Sequence, residues 1–156
     1  MRAYISYSLN DSEQYILSIL AGALHDEGFV VSSSYHLFSH AMDYATFTKL
    51  NQSNLFIGLI TATGDSNDQV ISEWNQTISK NIPSIIMVEN SIPINADLHQ
   101  RDDIVIFDRN NPIHSIDFIR NRMNNTTAAP RSNKAAWLLG GLAALAVIGL
   151  LASNDE

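Results

Sequence analysis

The sequence predicts an α/β domain of the flavodoxin-like, doubly wound kind, with a five-stranded parallel sheet, followed by one C-terminal transmembrane helix. Two observations predict the domain. Short β-rich runs alternate with helix-length segments through the first 120 residues, and some of those runs are almost entirely apolar, as in parallel strands buried on both faces. Alternating strands and helices imply parallel pairing and helices on both faces of the sheet. The third observation is an uninterrupted apolar segment near the C-terminus, which predicts the membrane helix.

The first two strands enclose an amphipathic helix. RAYISYS, residues 2–8, alternates and is rich in aromatic and β-branched residues, which predicts a strand. Asp11 then offers a helix N-cap, and Gly28 stands where a helix needs a left-handed residue at its end. The apolar stripe between them consists of Ile16, Ile19, Leu20 and Ala23. FVVSS, residues 29–33, is the second predicted strand.

The remaining elements continue the alternation. Residues 34–43 are predicted as an irregular connection, and Asp43 caps a short helix over 43–53. Buried strands are predicted at 55–61 and 83–89, with a helix over 69–80 between them. After a loop, the last elements are a strand at 103–108 and a helix over 112–123 that begins with Pro112. We therefore place the domain at residues 1–123.

Composition excludes several classes of function. The chain of 156 residues has no cysteine, so disulfides, zinc–thiolate sites and a cysteine nucleophile are excluded. Its formal net charge is −7, with only 9 lysines and arginines, and nucleic-acid binding is not expected because that would require many phosphate-neutralising cations. No P-loop, dinucleotide-binding GxGxxG or GxSxG pattern is present.

The C-terminal part predicts a linker and a membrane anchor. Residues 124–134 are polar and predict a linker, and residues 135–152 are 18 residues without a charge, about 27 Å long as a helix. A buried or amphipathic helix is the alternative, but the segment has no polar face. Arg131 and Lys134 flank its N-terminal end, which places the domain in the cytoplasm and the tail, residues 153–156, across the inner membrane. A small-residue stripe predicts self-association: Ala136, Gly140 and Ala144.

Several blocks of the sequence, taken in order, resemble a bacterial TIR (Toll/interleukin-1 receptor-like) domain of the antiphage-defence, Thoeris-like kind. They are RAYISYS, LHDEGF before the second strand, NQSNLFIGLIT, and EWNQTISKNIPSIIMV. The resemblance covers residues 1 to about 120 and rests on the order of the blocks rather than on one diagnostic motif. It implies an enzyme that cleaves the nicotinamide–ribose bond of NAD, with NAD as substrate and no further cofactor.

The resemblance also implies the site residues. The family's catalytic glutamate lies on the helix before the fourth strand, which corresponds to Glu73 here. A carboxylate there would stabilise an oxocarbenium-like transition state and orient ribose hydroxyls. The products would be ADP-ribose, cyclic ADP-ribose or related signals, and assembly of subunits would complete the pocket. Expected nucleotide contacts are Ser6, Tyr7, Ser8, Asp11, Phe38 and Trp74.

Alternatives remain open from the sequence. Glu73 could be only a helix-start charge, stabilised by about 0.3–1 kcal/mol through the helix dipole. Gln69 stands where many family members carry a tryptophan, and an alignment on Trp74 would put Ile78 at the catalytic position. The loop after the second strand also lacks the family's frequent Arg-Asp and Pro-Gly elements.

The alternative functions are a non-enzymatic TIR adaptor that acts by self-association and an enzyme resembling nucleoside deoxyribosyltransferases. A free base exchanging into a deoxynucleoside would mark the latter. His36 and His40 stand four residues apart, but no glutamate-containing signature accompanies them, and we predict no metal site.

Overall fold

A computed structural model describes residues 1–8, 14–33 and 44–127 of the chain. These residues form a five-stranded sheet of order β2-β1-β3-β4-β5, in which all four neighbouring pairs are parallel. This is the flavodoxin-like strand order, so the prediction of an α/β domain with a parallel five-stranded sheet is confirmed. The strands are β1 (Arg2–Tyr7), β2 (Val30–Ser33), β3 (Leu55–Ile60), β4 (Ser84–Glu89) and β5 (Ile104–Phe107).

Helices connect the strands and begin close to the positions that the sequence predicts. They are α1 (Gln14–Asp26), α2 (Tyr44–Asn51), α3 (Asn67–Ser79), the single turn α4 (Ala96–His99) and α5 (Ile113–Thr127). Most boundaries lie within one or two residues of the predicted ones, and α3, α4 and α5 differ as follows. α3 begins two residues earlier, α4 lies within the predicted loop, and α5 continues four residues past Met123 because asparagine and threonine only weakly disfavour a helix.

The core has two halves, one on each face of the sheet. On one face, which we call the α1 face, α1 and α5 pack over Ile5, Ile57 and Met87. The opposite α3 face carries Tyr4, Phe56 and Ile86, which pack with residues of α2 and α3. Successive residues of a strand point to opposite faces, so β1 places Ala3 and Ile5 on the α1 face and Tyr4 on the α3 face.

Gly58, in the middle of β3, lets α3 lie close to the sheet. A Cβ atom at this position would lie 2.6 Å from Ile86 Cδ1 and 2.8 Å from Val70 Cγ1, distances too short for real contacts. Both residues have at most 1% of their surface exposed, so neither has open space beside it. The absent side chain therefore fixes the height of α3 above β3.

Gly28 ends α1 as the sequence predicts. Its φ angle is +80°, in the left-handed region, and the amide of Phe29 donates to the carbonyl of Leu24 at 2.9 Å. Glycine adopts this conformation without steric penalty, which allows the chain to turn directly into β2.

No helix within residues 14–33 and 44–127 combines the length and the apolar character needed to cross a membrane. The predicted membrane segment 135–152, the rest of the linker and the tail 153–156 lie outside the described residues.

Candidate functional site

The candidate site lies at the carboxyl edge of the sheet, where the strand order reverses. β1 is flanked by β2 on one side and β3 on the other, and consecutive connections leave in opposite directions from this point. Open parallel sheets bind ligands in the crevice beyond such a switch point. Residues at the ends of β1 and β3, and the first turns of α3, are therefore the first to inspect.

Glu73 is fully buried on α3. Its exposed fraction is 0%, and its Oε1 accepts a hydrogen bond of 2.9 Å from Nε2 of Gln69, one turn earlier on the same helix. Because α3 begins at Asn67, Glu73 lies in the second turn, and the acidic residue of the first turn is Asp68. The helix-dipole effect is confined to the first turn, so it does not account for an acid at position 73.

The burial of Glu73 requires a reason beyond helix formation. Transfer of an ionised carboxylate from water into a protein interior is strongly unfavourable unless hydrogen bonds or charges compensate. Gln69 supplies one such hydrogen bond. Buried ionisable groups are more frequent at functional sites than elsewhere, so this placement favours a chemical role.

The phase of α3 turns Glu73 towards β1. Val70 faces Gly58 on β3, and Trp74 reaches β4, where its Nε1 donates to Ser84 Oγ at 3.0 Å. Counting about 100° per residue, Trp74 lies roughly 40° to one side of Val70 and Glu73 roughly 60° to the other. Since β1 is the neighbour of β3 on the side away from β4, Glu73 lies over β1.

Ser6 of β1 and Ser8, the residue that follows β1, face the same side of the sheet. Ser6 pairs in register with Gly58, whose Cβ direction points at Val70 of α3. The Ser6 hydroxyl is 99% buried and has no hydrogen-bond partner among the described residues. A buried hydroxyl is normally hydrogen-bonded, so this group is a candidate for contact with a ligand. The hydroxyl lies on the face of β1 over which α3 packs.

Ser8 fastens the loop after β3 to the end of β1. Its Oγ accepts a hydrogen bond of 3.0 Å from the amide of Ser66, and it lies 3.4 Å from Asn67 Oδ1. Asn67 Nδ2 in turn donates to the carbonyl of Thr61 at 2.8 Å. These bonds fix the start of α3 relative to β1, and so fix the height at which Glu73 lies.

A second set of bonds holds the other side of the same loop. Glu89, the last residue of β4, accepts hydrogen bonds from Arg109 at 3.1 and 2.8 Å and from the amide of Ala62 at 2.8 Å. Arg109 also donates to Thr63 Oγ1 at 3.0 Å. The hydrogen bond from Arg109, with a smaller contribution from Ala62, lowers the pKa of Glu89 from 4.5 to about 2. We call Glu89 and Arg109 the carboxyl-edge clasp.

The side chains of two predicted contact residues point in directions different from that of Glu73. Tyr7 packs against the core of the α1 face, because it alternates with Ser6 and Ser8 along β1. Trp74 has no exposed surface, bonds Ser84 at the amino end of β4, and has Arg101 Cζ at 5.6 Å from its ring centroid. The structure therefore assigns Trp74 to packing between α3 and the amino end of β4. It does not bring the Trp74 side chain together with Ser6 and Ser8.

The other predicted residues lie outside the described residues. These are Asp11, Phe38 and the pair His36 and His40. Within the described part of the chain, no group of three or more histidine, aspartate or glutamate side chains is arranged to hold a metal ion.

Sequence reasoning missed three residues of the site region. Gln69 was noted only as a departure from the family pattern, although its spacing of four from Glu73 on a helix signals a side-chain pair. Glu89 is the last residue of the predicted strand 83–89, and Arg109 directly follows the predicted strand 103–108. Neighbouring parallel strands end at the same edge of the sheet. The pairing of Glu89 with Arg109 can therefore be predicted once β4 and β5 are known to be neighbours.

In comparisons with protein-family models, with curated proteins and with solved structures, no significant match was found. Function is therefore inferred from the residues of the site and from the resemblance of the sequence blocks.

Proposed function

We propose that the chain is a TIR-like NAD glycohydrolase or cyclase that generates an ADP-ribose-type signal, or depletes NAD, in antiphage defence. The observation that carries the proposal is the placement of Glu73. It lies on the helix before β4, fully buried, on the same side of the sheet as the unpartnered hydroxyl of Ser6. This is the helix on which the family resemblance expects the catalytic carboxylate.

In the proposed reaction, the bond between C1′ of the ribose and the nicotinamide nitrogen breaks, and its electron pair leaves with nicotinamide. Glu73 stabilises the positive charge that develops on the ribose and holds its hydroxyls. The Ser6 hydroxyl supplies a further hydrogen bond to the sugar. Attack of water at C1′ gives ADP-ribose and a proton, whereas attack by the adenine gives a cyclic product.

Complete burial of Glu73 implies that the substrate reaches it only after a rearrangement. With 0% of its surface exposed, the carboxylate contacts no solvent in the described conformation. A resting state of this kind agrees with the assembly-dependent activity that the family resemblance implies. Residues 135–152 would anchor the domain in the cytoplasmic membrane, and paired anchors would raise its effective concentration there.

Mass spectrometry of nucleotides from infected cells tests the proposal. Cells carrying the full chain should lose NAD and accumulate ADP-ribose or a cyclic isomer after phage infection, and cells carrying Glu73→Gln should not. Equal NAD loss in both strains would remove Glu73 from the reaction. Absence of NAD loss in both, with protection against phage retained, would instead favour the adaptor function.

Fractionation of the same cells tests the anchor. The full chain should remain in the membrane pellet after alkaline carbonate extraction, and a chain ending at residue 134 should not. Release of the full chain by carbonate would refute a spanning segment.

A further inference from the structure

Gln69 holds the carboxylate of Glu73 by a hydrogen bond. Its Nε2 donates to Glu73 Oε1 at 2.9 Å, a normal hydrogen-bond distance. The two residues are four apart on α3, where side chains stack along one face of a helix. We infer, on the basis of the proposed function, that Gln69 is a positioning residue that orients the Glu73 carboxylate for reaction with the sugar.

The locations of the two residues suit these roles. α3 begins at the carboxyl edge of the sheet, so Gln69 lies one turn closer to that edge than Glu73. Gln69 is half-buried while Glu73 is fully buried. A ligand approaching from the carboxyl edge therefore meets the Gln69 side chain above the carboxylate.

A glutamate side chain must be held in one conformation to act on a single atom of the substrate. It has three rotatable bonds, and a misplacement of the reactive group by about 1 Å can reduce a rate by roughly 100-fold. A glutamine amide donates in any protonation state of its partner and carries no charge to compete with a cation developing on the substrate. A leucine at this position would keep the packing and lose the donor.

Steady-state kinetics of the full chain in phospholipid vesicles, with NAD as substrate, test the inference. Gln69→Leu should lower kcat by about 10- to 100-fold and change KM by less than about 3-fold. The matched control is Gln76→Leu, which alters a half-buried glutamine on the same face of α3 about two turns further along. The control should retain wild-type kcat, and both variants should melt within about 3 °C of the wild type.

A second variant gives a readout that loss of packing does not produce. Gln69→Glu keeps the shape of the side chain but can donate a hydrogen bond only when the introduced carboxyl is protonated. Its activity relative to wild type should be low near neutral pH and rise as the pH falls from about 7 to about 5. A ratio that is constant across this range would overturn the positioning role.

The outcomes separate this inference from the proposed function. If wild type consumes NAD and Glu73→Gln does not, but Gln69→Leu keeps wild-type kcat, only the role of Gln69 is refuted. Higher kcat in Gln69→Leu would also overturn it, because the glutamine would then restrain the carboxylate rather than position it. A wild type that consumes no NAD in the assembled, membrane-bound form overturns both.

Discussion

Replacing Glu89 with glutamine removes the negative charge of the carboxyl-edge clasp. The Glu89 side chain is only 9% exposed and that of Arg109 22%, so solvent screens this pair weakly. Arg109 and the Ala62 amide lower the pKa of Glu89 from 4.5 to about 2. At about 1.4 kcal/mol for each pKa unit, the folded state gains roughly 3 kcal/mol from ionised Glu89 at neutral pH.

The sign of the pH dependence follows from the lowered pKa. The stabilisation is present in full above about pH 4.5, where Glu89 is ionised in both the folded and the unfolded chain. It is lost as the pH falls from 4.5 to about 2, because the unfolded chain takes up a proton first. The difference in unfolding free energy between wild type and Glu89→Gln should therefore be about 2–3 kcal/mol near pH 7 and shrink towards pH 2.

Urea unfolding of the full chain in detergent micelles, followed by circular dichroism at several pH values, measures this difference. Comparing variants at each pH cancels the titration of the other carboxylates. The control is Asp26→Asn. The Asp26 side chain is 69% exposed, and its carboxylate lies 3.2 Å from Arg120 Nη2. That variant should lose less than about 1 kcal/mol. A Glu89→Gln effect no larger than the control, or one independent of pH, would refute the reasoning.

Three further substitutions test the packing that positions the site. Gly58→Ala should cost about 1–3 kcal/mol in unfolding free energy and reduce NAD turnover, because α3 must move to make room for the methyl group. The control Gly22→Ala should be neutral or stabilising, because nothing lies within 4 Å of its Cβ position. Trp74→Phe should cost about 1–3 kcal/mol by urea unfolding, since it leaves Ser84 Oγ unpaired; a neutral result would contradict its packing role. Asn67→Ala should cost about 1–2 kcal/mol and increase hydrogen exchange in the loop after β3; unchanged exchange would show that the loop is held elsewhere.

The sequence predicted the sheet well because its signals are local. The continuous apolar runs of β3 and β4 are what strands buried on both faces require, and every residue of both strands is buried. The position of Gly28 was likewise predictable, since the left-handed conformation after a helix favours glycine. The parallel pairing then followed from the alternation of strands and helices and from the rules of connection.

The start of α3 was harder to predict, and it changes the interpretation of Glu73. The segment ATGDSND consists of residues that favour turns as well as helix caps, so the sequence alone suggested a start near residue 69. The structure begins the helix at Asn67, which places Glu73 in the second turn. The phase of the helix also decides that Trp74 faces β4 while Glu73 faces β1, a distinction that neighbours in sequence do not reveal.

The clasp and the Ser8 network depend on contacts between distant segments. Glu89 and Arg109 are separated by 20 positions, and Ser8 and Ser66 by 58. Such pairs form only because parallel strands bring their carboxyl ends to one edge. Sequence patterns indicate which residues stand at strand ends, but the partners are chosen by strand order and loop geometry.

The release of nicotinamide from NAD by the full chain reconstituted in vesicles is the most direct test of the account. We expect turnover by the wild type at high surface density, and a loss of at least about 100-fold in Glu73→Gln with an unchanged melting temperature. Turnover by Glu73→Gln at the wild-type rate would contradict the assignment of the buried carboxylate on α3 as the group that acts on the sugar.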